Sequence, residues 1–322
     1  MIDLHGHYLP WVDDGASSLE EALQMLRMAE VDGVRCAVLT PTMDPARAPI
    51  VRADLERKFG AFALLVERRG IHVRVRLGAE LVHGPAAFGA VDRGEIPFVG
   101  EWEGRHVVLL RWAEDFIPIG AISTTQRLIE RGILPMLAHP ERNPGVIRSP
   151  GALDLFLCDG CLVQVDAGSV LGWHGPEVRE TAFRLIEAGR VTVLASGAAD
   201  TSARPPMLRA ARDIVAQRFG EELAIRLTEL NPSLVAAEAL ARGFGTQPLA
   251  PPMHSAQPQP LGPLGIRGEV RSAVLGHSSP PGPVEDTARN DSRSLRQPRD
   301  GRPDRAEPVI APADARLPLM RF

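Results

Sequence analysis

The chain has 322 residues, of which 44% are hydrophobic and 24% charged, a balance typical of globular proteins. A formal net charge of -4 gives no reason to expect a nucleic-acid partner. With no run of about 18 apolar residues and no basic or apolar leader at the N-terminus, we expect no membrane insertion and a cytoplasmic location. Three cysteines, an odd number in a chain of this length, exclude a disulfide framework.

Short apolar runs predict seven buried strands. Each run has four to seven residues rich in β-branched side chains or leucine, as in parallel strands that are covered on both faces. The predicted strands are residues 1–4, 34–40, 72–78, 106–110, 134–138, 161–165 and 191–195.

Amphipathic stretches between these runs predict helices. The first begins after Ser17 and Ser18, either of which is a suitable N-cap, and ends at Gly33. Further helices are predicted over residues 50–69, 119–131, 174–188, 206–218 and 220–242. Strands that alternate with helices indicate an α/β fold with a parallel sheet, either a closed barrel or an open doubly wound sheet. Polar residues at the strand ends favour the barrel.

A change in composition near residues 243–245 predicts the end of the folded part. Nearly half of the 29 prolines lie beyond it, in segments rich in Pro, Gln, Arg and Ser. Such segments bury too little apolar surface to offset the entropy lost on ordering. We therefore predict a barrel domain over residues 1–245 and a disordered tail over residues 246–322.

Potential metal ligands follow several predicted strands. His5 and His7, two residues apart, point to the same side of an extended segment. Glu80 and His139 end two further strands, and the carboxyl ends of barrel strands meet at one rim. Imidazole and carboxylate groups together suit manganese, zinc or iron. Convergence of these four side chains would therefore form a metal site.

Cys158 and Cys161 have the spacing of a metal-binding or redox pair, although a second pair is missing. The alternative interpretation is a helix end, a glycine turn and the first residue of a strand. No glycine-rich phosphate loop is recognisable.

Five segments together resemble the PHP-family protein-tyrosine phosphatases of bacterial capsule and exopolysaccharide operons. They are residues 1–7, 12–15, 78–80, 138–142 and 204–206, and the resemblance covers about residues 1–240. It implies a distorted seven-stranded (β/α)7 barrel of the PHP type and a cluster of divalent metals, most often manganese. It also implies hydrolysis of phosphotyrosine on a bacterial tyrosine autokinase that governs polysaccharide export.

The resemblance also implies roles for individual residues. The family's metal ligands match five residues, His5, His7, Asp14, Glu80 and His139. Arg142 and Arg204 match arginines near the phosphate and are the expected catalytic residues. An arginine presents a planar fork of donors to phosphoryl oxygens. The alternative for both arginines is pairing with acidic neighbours.

Four positions depart from the family pattern. Thr42 stands where the family has a histidine, and Leu110 where it has a glutamate. Gly197 and Ala199 replace the aspartate and histidine of an Asp-x-His motif, and nearby Asp200 is a possible substitute ligand. These changes predict the loss of part of the metal cluster. They leave three hypotheses: a phosphatase with a reduced site, a pseudophosphatase that only binds a partner in polysaccharide assembly, and a different metal-dependent hydrolase.

Overall fold

The computed structural model describes residues 1–48, 51–113 and 115–237. The predicted boundary at residue 245 and the tail over residues 246–322 lie outside these residues and stay predictions.

Seven parallel segments and one added hairpin strand build the sheet structure. All seven predicted strands are present, in the predicted order. The strands are β1 (Ile2–Gly6), β2 (Cys36–Leu39), β3 (Thr42–Met43), β4 (Arg74–Leu77), β5 (Glu80–Val82), β6 (Gly100–Trp102), β7 (Arg105–Arg111), β8 (Ile133–Ala138), β9 (Leu162–Asp166) and β10 (Val193–Ala195).

Two of the seven segments are interrupted. A break after Leu39 separates β2 from β3, and a break after Leu77 separates β4 from β5. Backbone bonds bridge both breaks, since Gly78 N–H donates to the Leu39 carbonyl and Glu80 N–H to the Pro41 carbonyl. Parallel pairing then runs β1-β2-β4 below the breaks and β3-β5-β7-β8-β9-β10 above them, while β6 pairs antiparallel with β7. The interruptions are the distortion of this barrel.

The first and last strands meet and close the barrel. Gly6 and Ala198 form a parallel bridge, and the His7 N–H donates to the Ala198 carbonyl at 2.7 Å. The Gly197 N–H donates to the His5 carbonyl at 3.0 Å. Closure therefore brings the segment after β10 directly beside the two histidines of β1. The parallel α/β barrel expected from the sequence is confirmed.

Helices cover the outside of the strands. The α-helices are α1 (Leu19–Asp32), α2 (Arg52–Arg68), α3 (Pro85–Asp92), α4 (Ala121–Ile129), α5 (Pro144–Arg148), α6 (Asp154–Cys158), α7 (Ala167–Leu171), α8 (Pro176–Glu187), α9 (Leu208–Phe219), α10 (Glu221–Ile225) and α11 (Asn231–Val235). Short 3-10 turns span Pro140–Arg142 and Pro150–Leu153, and a π-helical turn spans Arg226–Leu230.

The termini of α1 follow the sequence prediction. The Ser18 side chain accepts a hydrogen bond from the Glu21 N–H, which satisfies a free amide of the first turn. Gly33 ends the helix with φ of 92°, a left-handed conformation that glycine adopts without strain. The single helix predicted over residues 220–242 is instead broken into α10, the π-helical turn and α11. Pro232 allows a new helix to start there because the first turn needs no N–H donor at that position.

Alternate residues of each strand face two separate apolar layers. Val107 and Leu109 of β7 belong to the inner cluster, with Leu4 and Met136. Val108 and Leu110 belong to the larger cluster between strands and helices. This two-residue period decides which strand-end side chains can reach the rim of the barrel.

None of the helices in the described ranges combines the length and apolar character that a bilayer crossing requires.

Candidate metal centre

The histidines of β1 and the glutamate of β5 converge at one end of the barrel. His5, His7 and Glu80 are all buried, and one ligand atom from each lies within 4.8 Å of the other two. The two histidines lie at the end of β1 and Glu80 lies on β5, which is not the next strand in the chain. They meet because the carboxyl ends of parallel barrel strands gather at one rim. The convergence of these three predicted ligands follows the sequence argument, while metal binding itself stays a proposal.

Glu80 lies at the centre of this cluster, and its two oxygens face different partners. Oε1 lies 3.1 Å from His139 Nε2 and 3.4 Å from His5 Nε2. Oε2 accepts a hydrogen bond from Thr42 Oγ1 at 2.8 Å and lies 3.6 Å from Arg111 Nε. The imidazole side of the carboxylate is thus distinct from its hydroxyl and guanidinium side.

A buried glutamine fixes the orientation of His5. His5 Nδ1 lies 2.9 Å from Gln164 Oε1, an acceptor, so this nitrogen carries the proton and donates. Nε2 is then left toward Glu80, and it finds no hydrogen-bond partner among the described residues. A carbonyl that holds one imidazole nitrogen and directs the other inward is the usual support of a metal-binding histidine.

Asp13 supports His7 in the same way. Its Oδ2 lies 2.6 Å from His7 Nδ1 and also accepts the Thr42 N–H at 2.7 Å. His7 Nε2 is therefore the nitrogen left for a ligand. The adjacent Asp14, predicted as a ligand, is exposed, although it forms a second group of possible ligands with His7 and Asp13. Asp14 was expected to be a ligand because it matches the family motif, whereas the orienting role of Asp13 was not predicted.

Loss of the Asp13 carboxylate is expected to weaken metal binding without removing a ligand. Asp13→Ala should lower the affinity for Mn²⁺ by about 10- to 100-fold, because His7 is then free to rotate. Asp13→Asn keeps an acceptor for the Thr42 amide and is the matched control, with a smaller loss expected. Titration calorimetry compares the two variants; equal affinity of Asp13→Ala and the unaltered chain would contradict the assigned role.

His139 reaches the cluster from the end of β8. Its ring stacks on that of His5, with centroids 5.7 Å apart. Its backbone is left-handed, with φ of 35° and ψ of 50°, a conformation that is rare for residues other than glycine. Gln164 Oε1, the side-chain amide oxygen, accepts the His139 N–H at 3.2 Å and helps to hold this strained turn. His139 thus lies beside Glu80, as predicted.

Leu110, which the resemblance places at the position of a family glutamate, does not face the site. Leu110 is 1% exposed and packs in the layer between strands and helices. Because side chains alternate along β7, the next residue faces the rim, and that residue is Arg111. The position beside Glu80 therefore carries a guanidinium, a positive group, and not an apolar side chain.

The space beside Gly197 is filled by the carboxylate of Asp166. A Cβ atom on Gly197 would lie 2.6 Å from Asp166 Oδ1 and 2.9 Å from Oδ2, and the backbone there has φ of 61°. Asp166 is held by Gln164 Nε2 at 2.9 Å and by Arg142 Nη1 at 3.1 Å. The Asp166 carboxylate, from β9, thus occupies the space that a side chain at residue 197 would need.

The other predicted residues of this rim have varied surroundings. Arg142 forms an ion pair with Asp166, as the alternative of pairing with an acidic neighbour predicts for this arginine. Arg204 is half-buried. Burial, followed by the charges of Arg142, His139 and Arg204, lowers the pKa of the His174 imidazole. Asp200 Oδ1 accepts the backbone N–H groups of residues 202–204, so this carboxylate caps its own loop. Asp200 belongs to neither group of possible metal ligands in the described chain.

Charges at the cluster compensate one another. Burial acts to raise the pKa of Glu80, but the hydrogen bond with His139 and the charge of His5 hold it well below its usual range. Burial lowers the pKa of His5, yet Glu80 and Asp166 raise it to about 9. Burial likewise acts to raise the pKa of Asp166, which the positive groups of His139, His5 and Arg142 lower to about 2. Glu80 and Asp166 are therefore ionised near neutral pH, whereas His5 must release a proton when a cation binds to it.

The donor set fits one divalent ion. His5 Nε2 is buried and lacks a hydrogen-bond partner in the described ranges, while Nδ1 of the same ring is fixed by Gln164. A histidine nitrogen in these surroundings is suited to bind a metal ion. His7 and Glu80 add a nitrogen and an oxygen, and His139 lies against the same Glu80 oxygen. Two or more imidazoles with a carboxylate suit manganese, iron or zinc. On the Oε2 side of Glu80, Thr42 and Arg111 offer a hydroxyl and a cation.

Glu141 forms a buried support behind the rim. Its Oε1 accepts the Asp166 N–H at 3.0 Å and the Ser169 hydroxyl at 2.6 Å. Burial, followed by the charge of Asp166, raises the pKa of Glu141 to about 8. Glu141 thus holds the start of α7 in place, a role that the sequence did not reveal.

The cysteine pair fits the alternative interpretation. Cys158 ends α6 and is exposed, whereas Cys161 is buried immediately before β9. Burial raises the pKa of the Cys161 thiol to about 12, so it remains protonated and unreactive near neutral pH.

Comparisons with known proteins agree with this architecture. The sequence model of the family described as "Capsular polysaccharide synthesis, CpsB/CapC" matches residues 1–237. The tyrosine-protein phosphatase YwqE of Bacillus subtilis is 27% identical over 240 residues, which cover 71% of this chain and 89% of YwqE. CpsB of Streptococcus pneumoniae, also a tyrosine-protein phosphatase, is 24% identical over 245 residues, or 74% of this chain and all of CpsB.

A solved structure gives the same result at the level of the fold. It comes from crystal structures of YwqE and S. pneumoniae CpsB, described as unique metal-dependent tyrosine phosphatases. The two chains superpose with a TM-score of 0.68 at 26% identity, over 73% of this chain and 94% of the other.

Proposed function

This chain belongs to the CpsB/CapC family of capsular polysaccharide synthesis, and on that premise we propose that it is a metal-dependent phosphatase that acts on phosphotyrosine. The observation that carries this proposal is the buried cluster of His5, His7 and Glu80, in which His5 Nε2 has no hydrogen-bond partner among the described residues. The relatives that bear the phosphatase name support the reaction class. His139 is the proposed fourth ligand.

The proposed ion is manganese, with zinc and iron as alternatives that the same donors suit. His5, His7 and Glu80 would hold the ion, which would supply positive charge at the phosphoryl group and lower the pKa of water at the site. Gln164 and Asp13 keep the imidazoles of His5 and His7 oriented for this purpose. Asp14, which is exposed, is proposed to bind the ion only from the solvent side of the site.

Arg142 and Arg204 are proposed to bind the phosphate. Arg142 stands at the rim with one-third of its side chain exposed, and Asp166 holds one of its nitrogens. That ion pair fixes the guanidinium plane while the fork geometry leaves further N–H donors for phosphoryl oxygens. Arg204 adds charge close to His174 on the same side.

The proposed substrate is a tyrosine autokinase of polysaccharide export, dephosphorylated in the cytoplasm. The family description places the relatives in capsular polysaccharide synthesis, which supports a partner from that pathway. A phosphotyrosine peptide from such a kinase, incubated with the full chain and Mn²⁺, should release phosphate, and a chelator should abolish the release. No release from any phosphotyrosine peptide, with metal bound, would contradict the proposed function.

A second candidate function is that of a pseudophosphatase, which binds the phosphoprotein without turnover. Thr42, Gly197 and Ala199 carry no imidazole or carboxylate, and Arg111 places a cation at Glu80. Binding of a phosphotyrosine peptide without phosphate release would favour this candidate over the phosphatase.

Removal of the Arg142 guanidinium is expected to lower kcat/KM for an aryl phosphate by about 100-fold. A charged hydrogen bond contributes about 1.5–3 kcal/mol, which corresponds to roughly one to two powers of ten. Arg142→Ala is compared with Arg148→Ala, an exposed arginine at the end of α5. Steady-state kinetics at saturating Mn²⁺ measure both; similar kcat/KM values for the two variants would contradict phosphate binding by Arg142.

A further inference from the structure

Arg111, at the end of β7, brings to Glu80 a positive side chain that is not a possible metal ligand. Its Nε lies 3.6 Å from Glu80 Oε2, is buried, and finds no hydrogen-bond partner among the described residues. Glu80 itself is 1% exposed at its side chain. A guanidinium is always protonated, so this is a fixed positive charge against a buried carboxylate.

The two oxygens of Glu80 are therefore committed in different ways. A carboxylate that bridges two metal ions gives one oxygen to each. Oε1 faces the imidazole nitrogens of His5 and His139, where an ion has ligands. Oε2 faces Thr42 Oγ1, which donates its proton, and Arg111 Nε. A hydroxyl proton and a guanidinium repel a second cation and offer it no lone pair in exchange.

We propose that Arg111 takes the place of a second cation at Glu80, so that the centre binds a single divalent ion on its histidine side. The two groups of possible ligands found in the described ranges share His7, so they do not offer two independent sites. The buried group, His5 with His7 and Glu80, is the one on the Oε1 side. The other, His7 with Asp13 and Asp14, shares His7, whose Nδ1 is already bonded to Asp13.

The inference rests on the metal site of the proposed function, but it does not depend on turnover. On the Oε2 side of Glu80, Arg111 neutralises the carboxylate charge that an ion on the Oε1 side would leave uncompensated. It also repels the ion on the Oε1 side over a short distance in a buried region, where Coulomb interactions are strong. Arg111 thus limits the number of bound ions and lowers the affinity of the site for the ion that binds.

The test measures manganese stoichiometry and magnetic coupling on the full chain. Elemental analysis and calorimetry give the number of ions per chain, and electron paramagnetic resonance distinguishes an isolated Mn²⁺ from a spin-coupled pair. We expect one ion per chain with an uncoupled six-line spectrum. Two or more ions with a coupled spectrum, or no ion bound at the histidines, would overturn the proposal.

Two variants sharpen the test. Arg111→Glu replaces the cation with a carboxylate and should bind a second ion with a coupled spectrum. Arg111→Met keeps much of the side-chain length without the charge, and should bind its single ion about tenfold more tightly. If Arg111→Glu does not fold, as a thermal melt would reveal, Arg111→Met still decides the question. Unchanged affinity in Arg111→Met would contradict the proposal.

Arg105→Met is the matched control. Arg105 lies on the same face of β7 at the opposite end of the strand, where it pairs loosely with Glu103 at 3.9 Å. Its loss should alter neither stoichiometry nor affinity. A chain that binds one ion but releases no phosphate would support the role of Arg111 while it contradicts the proposed phosphatase activity.

Discussion

Glu80→Gln is expected to abolish tight Mn²⁺ binding and to lower the free energy of unfolding by about 3 kcal/mol. Loss of one partner from a buried ion pair leaves the remaining charges without compensation, at a cost of about 3–5 kcal/mol. Glu80 faces His5, His139 and Arg111 at 3.1–3.6 Å. An amide cannot neutralise these groups, although it keeps the shape of the side chain.

Chemical denaturation and calorimetry measure the two effects of Glu80→Gln. Glu101→Gln is the control, since Glu101 forms a comparable pair with His106 at 3.1 Å but is half-exposed. Exposed pairs contribute about 0–1 kcal/mol, so the control should stay near the unaltered chain in stability and metal binding. A Glu80→Gln protein with unchanged stability and unchanged Mn²⁺ affinity would show that Glu80 is not the centre of the cluster.

Gly197→Asp, which would restore the aspartate of the family motif, is instead expected to destabilise the fold by about 3 kcal/mol. The new Cβ would lie 2.6 Å from Asp166 Oδ1, and the backbone is left-handed with φ of 61°. Overpacking costs about 1–3 kcal/mol and left-handed strain about 1–2 kcal/mol. A second carboxylate beside Asp166 adds repulsion to both.

Two further variants separate these contributions. Gly189→Asp has nearly the same φ, 67°, but open space around its Cβ, so it measures the conformational strain alone, about 1 kcal/mol. In an Asp166→Ala background, Gly197→Asp should cost no more than that control. If the cost of Gly197→Asp is the same with and without Asp166, the carboxylate does not occupy the space beside residue 197.

The strand order and the principal ligands could be predicted because both depend on local patterns. Apolar runs fix the strands, and the carboxyl ends of parallel strands meet by topology, so His5, Glu80 and His139 converge wherever the barrel closes. The interruptions of the second and third barrel strands, and the hairpin strand β6, were not predicted. The strands β3, β5 and β6 are only two or three residues long, too short for periodicity to reveal.

The error at Leu110 has a simple physical origin. A shift of one residue along a strand moves every side chain to the opposite face. Leu109 and Leu110 look alike in sequence, and only the pairing of Glu80 with Leu109 shows that Arg111 faces the rim. The sequence pattern therefore did not reveal that a cation, Arg111, faces the rim at the end of β7 where an apolar residue was expected.

Other features of the site depend on contacts between distant residues. Asp166 fills the space of residue 197 because β9 and β10 are paired in the sheet, and neither residue alone signals that fit. Gln164 orients His5 across 159 positions of sequence. Asp13 could have been recognised, since a carboxylate close to a ligating histidine often holds its second nitrogen.

Anomalous diffraction from crystals of the chain soaked in Mn²⁺ tests the central claim most directly. We predict one anomalous peak at each molecule's barrel rim, in contact with His5 Nε2, with His7 and with Glu80 Oε1. At saturating Mn²⁺, a rim without a peak, or a peak that contacts other residues and leaves His5 Nε2 unpaired, would contradict the account.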